Sequence, residues 1–258
     1  MTAGPSLAEV RAKGQPPGVL ARLNDEHWAG RLYMRRVSPY ATMVFARLGW
    51  SPNAVTVAFM VSGIAAGVLA AVPGLAAAVG VVLLIQLYLL FDCSDGELAR
   101  YTGRISATGV YLDRMGHYLA EAVLLAGLGV RAQGHVTLAG GYVSAGLAAA
   151  VCATLIKAET DGVVVARASS GLNGAHDDQA LAPTSAGLAL ARRLAAALRL
   201  HRIIQAVELS FLILAAAIAD AASGSLVATR VLIVAALAVG ALMAVAHLVA
   251  IVASRRLR

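Results

Sequence analysis

Four carboxylates, Asp92, Asp95, Glu97 and Asp113, fall within 22 residues that border long apolar runs. Charged groups in or against a membrane span are costly, so such a cluster marks a candidate site by default. On a helix Asp92 and Asp95 stand at i and i+3 on one face. Gly96 and Ala99 leave that neighbourhood open, and Arg100 follows one turn after Gly96. Gly109, Asp113, His117 and Glu121 recur every four residues and form a second stripe. If the two helices are neighbours, Asp92, Asp95, Asp113 and His117 converge. Carboxylates this close repel one another and take up protons, unless a divalent ion makes them useful as anions. Oxygen-rich sites favour Mg²⁺ or Mn²⁺, ions that bridge phosphate oxygens in phosphoryl transfer. The small residues would admit a bulky phosphorylated substrate, and Arg100 could neutralise it. The plain structural alternative is a capped helix end with salt bridges among Asp95, Glu97, Arg100 and Arg104.

The elements that must position these groups are membrane helices. Of 258 residues, 59 % are hydrophobic and 14 % charged, too apolar for an ordinary soluble domain. The runs free of Lys, Arg, Asp and Glu reach the roughly 18 residues that span a bilayer. The pattern predicts an all-α integral membrane protein with six transmembrane helices, at about 53–72, 75–90, 107–130, 136–156, 203–219 and 231–253, with Pro73-Gly74 turning the first into the second. The net charge of +7 would suggest nucleic acid in a soluble protein. Here the basic residues flank apolar runs and no stacking-aromatic pattern accompanies them, so no nucleic-acid partner is expected. Cys93 and Cys152 are too few for a disulfide framework and read as small buried hydrophobes.

Nineteen of the 21 Lys and Arg fall on one side of this six-span arrangement, and only Arg131 and Arg230 on the other. The positive-inside rule then puts both termini and the carboxylate cluster in the cytoplasm of a multi-pass protein of the cell membrane. Residues 1–50 lack the apolar core of a cleavable signal and form a cytoplasmic or interfacial segment, followed by a membrane domain over 51–258 with a cytoplasmic loop at about 160–202. Within the first segment, Leu20, Leu23, Trp28 and Leu32 alternate with Arg22, Arg31, Arg35 and Arg36, predicting an N-terminal interfacial amphipathic helix over about 18–36. Leu188, Leu194 and Leu198 repeat the pattern among Arg192, Arg193, Arg199 and Arg202.

The run Asp92-x-x-Asp95-Gly96-x-x-Ala99-Arg100, eight residues, Gly109-x-x-x-Asp113-x-x-x-His117 resembles the signature of the CDP-alcohol phosphotransferases, an integral-membrane family that includes phospholipid head-group synthases. Every signature position but one matches; the family has an Asp where this chain has His117. Pro52-Asn53-x-x-Thr56 also looks like a recurring feature near the nucleotide site of these enzymes. The resemblance implies that an alcohol displaces CMP from a CDP-alcohol, CDP-diacylglycerol being the favoured donor, with two divalent ions, Mg²⁺ or Mn²⁺, assisting. It implies that Asp92, Asp95, Asp113 and His117 hold metal. Asn53, Thr56, Asp92, Gly96, Ala99, Arg100 and Gly109 would line the cytidine diphosphate site, and Asp113 and His117 would serve catalysis. A homodimer follows by the same analogy.

His117 supports three readings. It can act as base or metal ligand in an active transferase, since imidazole does both. It can contact substrate phosphate while one ion or another base acts, or it can mark an inactive relative. The loss of one negative charge should weaken the second ion or shift the site toward metals that accept nitrogen. Glu121, Lys157, Arg192, Arg193 and Arg199 are weaker candidates for binding the hydroxyl acceptor, against interhelical bonding and charge anchoring as their plain roles. Two other functions compete. One keeps the chemistry with a soluble CDP-alcohol donor and a lipid or inositol-phosphate acceptor. The other is a non-enzymatic scaffold or cation transporter, which should carry its polar residues at mid-membrane in broken helices.

Overall fold

The computed structural model describes residues 4–17, 28–172 and 204–253. Among these residues all regular structure is helical: α1 (Leu7–Gly14), a π-helical segment (Gly30–Met34) running into α2 (Arg35–Arg47), α3 (Pro52–Ala70), α4 (Leu75–Thr102), α5 (Ala107–Gln133), α6 (Gly141–Ser169), α7 (Ala206–Ser223) and α8 (Val227–Ala253). Five of them, α3, α4, α6, α7 and α8, are long and apolar enough to cross a bilayer. The helix expected as the remaining span is α5, whose 27 residues suffice in length but include Asp113, Arg114, His117, Glu121 and Arg131.

Local chemistry sets the boundaries. The Ser51 hydroxyl accepts from the Ala54 amide at 3.2 Å, and Pro52 occupies the first helical position, where its missing N–H costs nothing. Gly74, at φ 105°, makes the turn from α3 into α4. Between α4 and α5, Gly103 adopts φ 70° and the Arg104 amide closes onto the Ala99 carbonyl at 3.0 Å, ending α4. The Ser106 hydroxyl then accepts from the Gly109 amide at 3.0 Å and starts α5. One helix stop and one helix start therefore occupy the eight residues between Arg100 and Gly109.

The N-terminal region departs from expectation. Residues 18–27 of the expected interfacial helix lie outside the described residues, and its described remainder continues through the π-helical segment and α2 to Arg47. Helix α1 was not expected at all. Ser6 caps it reciprocally with Glu9, which bonds back to the Ser6 amide at 3.2 Å, and these bonds hold the Glu9 carboxyl below its ordinary range. Helix α6 likewise outruns its expected end at Ile156 and takes in 160–169 of the expected cytoplasmic loop, with Lys157 and Glu159 of the extension paired to Glu121 and His247.

The chain divides into two compact units. The first holds residues 1–66 and 79–120, with Val55, Phe59, Ile85, Tyr88, Leu89 and Leu98 in its core. Its organising contact is polar. Glu97 is fully buried and accepts from Gln15 Nε2 (2.8 Å), Arg35 (3.1 Å), Ser38 Oγ (2.6 Å) and Thr42 Oγ1 (2.9 Å). Gly14 lies directly over it, where a Cβ would sit 3.3 Å from Glu97 Cβ. The salt-bridge alternative expected Glu97 to pair with Arg100 or Arg104; the structure gives it to Arg35 and three neutral donors instead.

The second unit holds residues 67–78 and 121–258, with Leu124, Leu125, Leu128, Leu209, Ile213 and Ile233 buried. Small residues let its helices approach: Gly146 lies where a Cβ would meet the Gly129 backbone at 2.8 Å, and Gly240 faces Cys152 at 3.2 Å. On α3, α4, α6 and α8 residues such as Val61, Leu83, Val151 and Leu242 stay exposed, the outward apolar surface a helix presents to lipid. Both cysteines are free.

Glu97→Ala should cost about 3 kcal/mol, because four donors lose their acceptor inside a closed core. Glu97→Gln, which keeps one acceptor oxygen, should cost less. Thermal unfolding of the purified variants in detergent checks this, and an unchanged melting temperature for Glu97→Ala would deny the carboxylate its organising role.

Candidate metal and nucleotide site

The site residues of the first unit sit on three helices. Asp92, Asp95, Gly96, Ala99 and Arg100 belong to the last turns of α4, Asp113 and His117 to the first turns of α5, and Asn53 and Thr56 to the first turn of α3. Because Gly103 reverses the chain between α4 and α5, residues 25 apart in sequence come into contact. His117 Nε2 lies 3.2 Å from Asp92 Oδ1 and 3.7 Å from Asp113 Oδ1. Asp92, Asp113 and His117 each present one ligand atom within 4.8 Å of the others. Two oxygens and a nitrogen this close form a donor set that could hold a divalent cation.

Asp95 stands apart from that trio. It is buried and accepts from the Thr56 hydroxyl at 2.7 Å, while the charges of Asp92 and Asp113 still act on it. Thr56 in turn bonds back to the Pro52 carbonyl at 3.1 Å, so the Pro-Asn-x-x-Thr turn of α3 fixes one Asp95 oxygen. The side chains of Asp113 and His117 remain 40 % and 34 % exposed, so the open face of the cluster is theirs.

The glycines of the signature have separate jobs. At Gly109 a Cβ would sit 3.0 Å from Asn53 Oδ1, so the missing side chain leaves room for the Asn53 amide. Gly96 lies under the Arg100 guanidinium, which would approach a Cβ at 3.2 Å. Arg100 Nε donates to the Gly14 carbonyl at 2.6 Å, tying the end of α1 to α4. Ala99 is half-buried beside it.

Sequence reading missed three supports of His117. The Tyr88 hydroxyl lies 2.7 Å from His117 Nδ1, and the Phe59 ring meets the imidazole edge-on at 5.1 Å. Gly116 leaves space for Phe59, since a Cβ there would run into its ring. One signal was available: Tyr88 stands one helical turn before Asp92 on the same face of α4. The contact serves either tautomer. If Nδ1–H donates to the tyrosine oxygen, Nε2 keeps a lone pair for a metal or a proton; if the hydroxyl donates to Nδ1, Nε2–H donates to Asp92.

Glu121 and Lys157 belong to the second unit and pair with each other at 3.2 Å. Beside them in sequence, Glu159 meets His247 at 3.1 Å. Arg192, Arg193 and Arg199 lie outside the described residues.

No family model matches the sequence. A stretch of 98 residues is 38 % identical to the archaetidylinositol phosphate synthase of Aeropyrum pernix, covering 37 % of this chain and 45 % of that protein. In that stretch the chain is homologous to a CDP-alcohol phosphotransferase. The match spans somewhat under half the length of the relative, so it supports the signature's resemblance without carrying over the relative's substrates.

Two substitutions separate ligand from bystander at position 117. His117→Ala should weaken Mn²⁺ binding at least about tenfold, and Tyr88→Phe, which removes only the hydroxyl, by a factor of up to about ten. Electron paramagnetic resonance of bound Mn²⁺ reads both, and unchanged affinity in the two variants would make the imidazole a spectator.

Proposed function

We propose that the chain is a multi-pass membrane enzyme with six spans, α5 included, that transfers a phosphoalcohol group from a CDP-alcohol to an acceptor hydroxyl and releases CMP. The observation that carries this reading is the meeting of Asp92, Asp113 and His117 at the open end of α4 and α5, within the one stretch of sequence that follows the phosphotransferase signature. CDP-diacylglycerol is the donor that the apolar surroundings favour. The site opens to the cytoplasm, as the 19-to-2 distribution of basic residues argues.

A divalent ion, Mg²⁺ or Mn²⁺, supplies charge neutralisation on the diphosphate when bound. Asp92, Asp113 and His117 would hold it, with Asp95 available for a second ion once its bond to Thr56 rearranges. Asn53, Gly96, Ala99, Arg100 and Gly109 would form the cytidine diphosphate bed, where the small residues let the nucleotide approach the helices. Alternatively, with the ion held by Asp92 and Asp113 alone, His117 Nε2 would accept the acceptor's proton in the tautomer whose Nδ1–H donates to the Tyr88 oxygen. Positioning accounts for much of the expected rate, because the acceptor hydroxyl and the phosphorus are brought together within one cleft. Phospholipid biosynthesis is the setting that such a reaction implies, and a homodimer is part of the proposal.

The relative is named for making archaetidylinositol phosphate, which favours a phosphorylated polyol such as inositol 1-phosphate among the acceptors. The same chemistry with a soluble CDP-alcohol donor and a lipid or inositol-phosphate acceptor is the second reading. A transporter is disfavoured because the carboxylates gather at helix ends beside the α4–α5 turn.

Purified protein should release CMP from CDP-diacylglycerol only when Mg²⁺ or Mn²⁺ and one acceptor are both present. The panel runs glycerol 3-phosphate, inositol 1-phosphate, inositol and serine, with CDP-linked head groups as alternative donors. Asp92→Ala and Asp113→Ala should each reduce transfer at least about a thousandfold. Near-normal turnover by either folded variant would remove the proposed metal site.

A further inference from the structure

The second unit contains a cavity of about 500 Å³ that the proposed reaction does not use. Three connections meet around it: the α3–α4 turn through Gly74 and Leu75, the end of α5 through Arg131, and the α7–α8 turn through Asp220, Ser225 and Arg230. Its two arginines are the only basic residues that the charge distribution assigns to the non-cytoplasmic side. Arg131 is 3 % exposed. Its two terminal nitrogens donate to the Val72 and Gly74 carbonyls at 2.8 Å each, but its Nε is buried with no hydrogen-bond partner among the described residues. A buried guanidinium N–H left unpaired is costly, and an acceptor entering the cavity relieves that cost.

The one nearby carboxylate is committed elsewhere. Asp220 accepts from the Ala228 amide at 2.8 Å and the Thr229 amide at 3.1 Å, capping the start of α8. Arg230 is held in place by its Nε bond to the Ala132 carbonyl at 3.1 Å and by stacking 5.1 Å over the Tyr142 ring. Two positioned guanidinium groups against one capping carboxylate leave the cavity with a net positive charge, and a guanidinium recognises phosphate oxygens directionally.

We propose that this cavity binds a phosphate monoester or diester through Arg131 and Arg230, the two arginines that the charge distribution assigns to the non-cytoplasmic side. The chemistry is shared by a lipid headgroup of that leaflet and by free phosphate, and the cavity lies at helix ends where either can enter. This site is independent of the reaction proposed for the first unit.

The test uses the full chain in neutral detergent with EDTA present, so that metal-assisted phosphate binding at Asp92 is silent. Thermal unfolding is followed with inorganic phosphate, with dioctanoyl phosphatidylglycerol, and with dioctanoylglycerol as the lipid lacking phosphate. Phosphate or the phospholipid should raise the melting temperature by about 3 °C at ten times its dissociation constant. A shift with phosphate alone identifies a free anion, and one with the phospholipid identifies a headgroup. Arg230→Gln should weaken the response at least about tenfold, and Arg131→Gln should do the same, while Asp92→Ala should keep it whole. Arg230→Gln decides the matter if Arg131→Gln does not fold, since Arg131 also secures the α3–α4 turn. The proposal fails if neither probe shifts the transition, if dioctanoylglycerol shifts it equally, if Arg230→Gln responds like the wild type, or if Asp92→Ala abolishes the response.

Discussion

The first unit depends on a single buried carboxylate. Glu97 sits between Gly96, in the signature, and Leu98, in the core, and every hydrogen bond it accepts comes from the N-terminal fifth of the chain. A charge removed from water must be paired and hydrogen-bonded to be tolerated, and Gln15, Arg35, Ser38 and Thr42 meet that demand together. The requirement runs in both directions. Helices α1 and α2 are polar and short and would gain little from packing alone, so the carboxylate gives them a defined docking point on α4. Arg100 adds a second tie by donating to the Gly14 carbonyl.

From that anchored helix the division of labour among the carboxylates follows. Asp95 points into the unit and is held by Thr56, so its position is set before any ligand arrives. Asp92 and Asp113 meet His117 at the partly exposed edge, where the proposed ion and diphosphate would enter. The α4–α5 turn fixes the distance between the two halves of this set, and both of its determinants, Gly103 and Ser106, are local. Substituting Gly103 would impose the left-handed conformation on a side chain, which is a cost to the turn rather than to any ligand contact.

Much of this was legible in the sequence, and the illegible parts share a cause. Periodicity of four placed Gly109, Asp113 and His117 on one face, and length with hydropathy found the apolar helices, because both signals are carried by neighbours along one helix. Glu97 was read as part of a charged helix end, since its partners lie 55 to 82 residues away and three of them are neutral. Asp95 was grouped with the metal ligands on spacing and on the signature's resemblance, neither of which says which oxygen a distant threonine occupies. The interfacial helix was placed from its leucine and arginine alternation, yet the described chain continues helical to Arg47 past Pro39, whose missing N–H leaves the Arg35 carbonyl to accept from Gln15 Nε2 at 2.8 Å. Helix α5 was placed as a span at about 107–130, yet the same polar residues that make it interesting leave it less apolar than the five helices long and apolar enough to cross a bilayer.

The imidazole at position 117 is best understood through its seat. An aspartate there would need only space for a small, charged group, whereas His117 is received by flat surfaces: the Phe59 edge at 5.1 Å, the Tyr88 ring at 5.9 Å, and a hydroxyl bonded to Nδ1. Gly116 next to it clears the room that Phe59 occupies. An unused side chain at an open helix face has no need of three oriented neighbours, so this surrounding argues that the ring's direction matters. With Nδ1 engaged, Nε2 is turned toward Asp92 and Asp113, and the donor set carries two negative charges in place of the three that a carboxylate would give. A nitrogen in that set raises the standing of Mn²⁺ or Zn²⁺ relative to Mg²⁺. If the proposed ion binds there, one residue and its aromatic seat would set the metal preference of an otherwise carboxylate site.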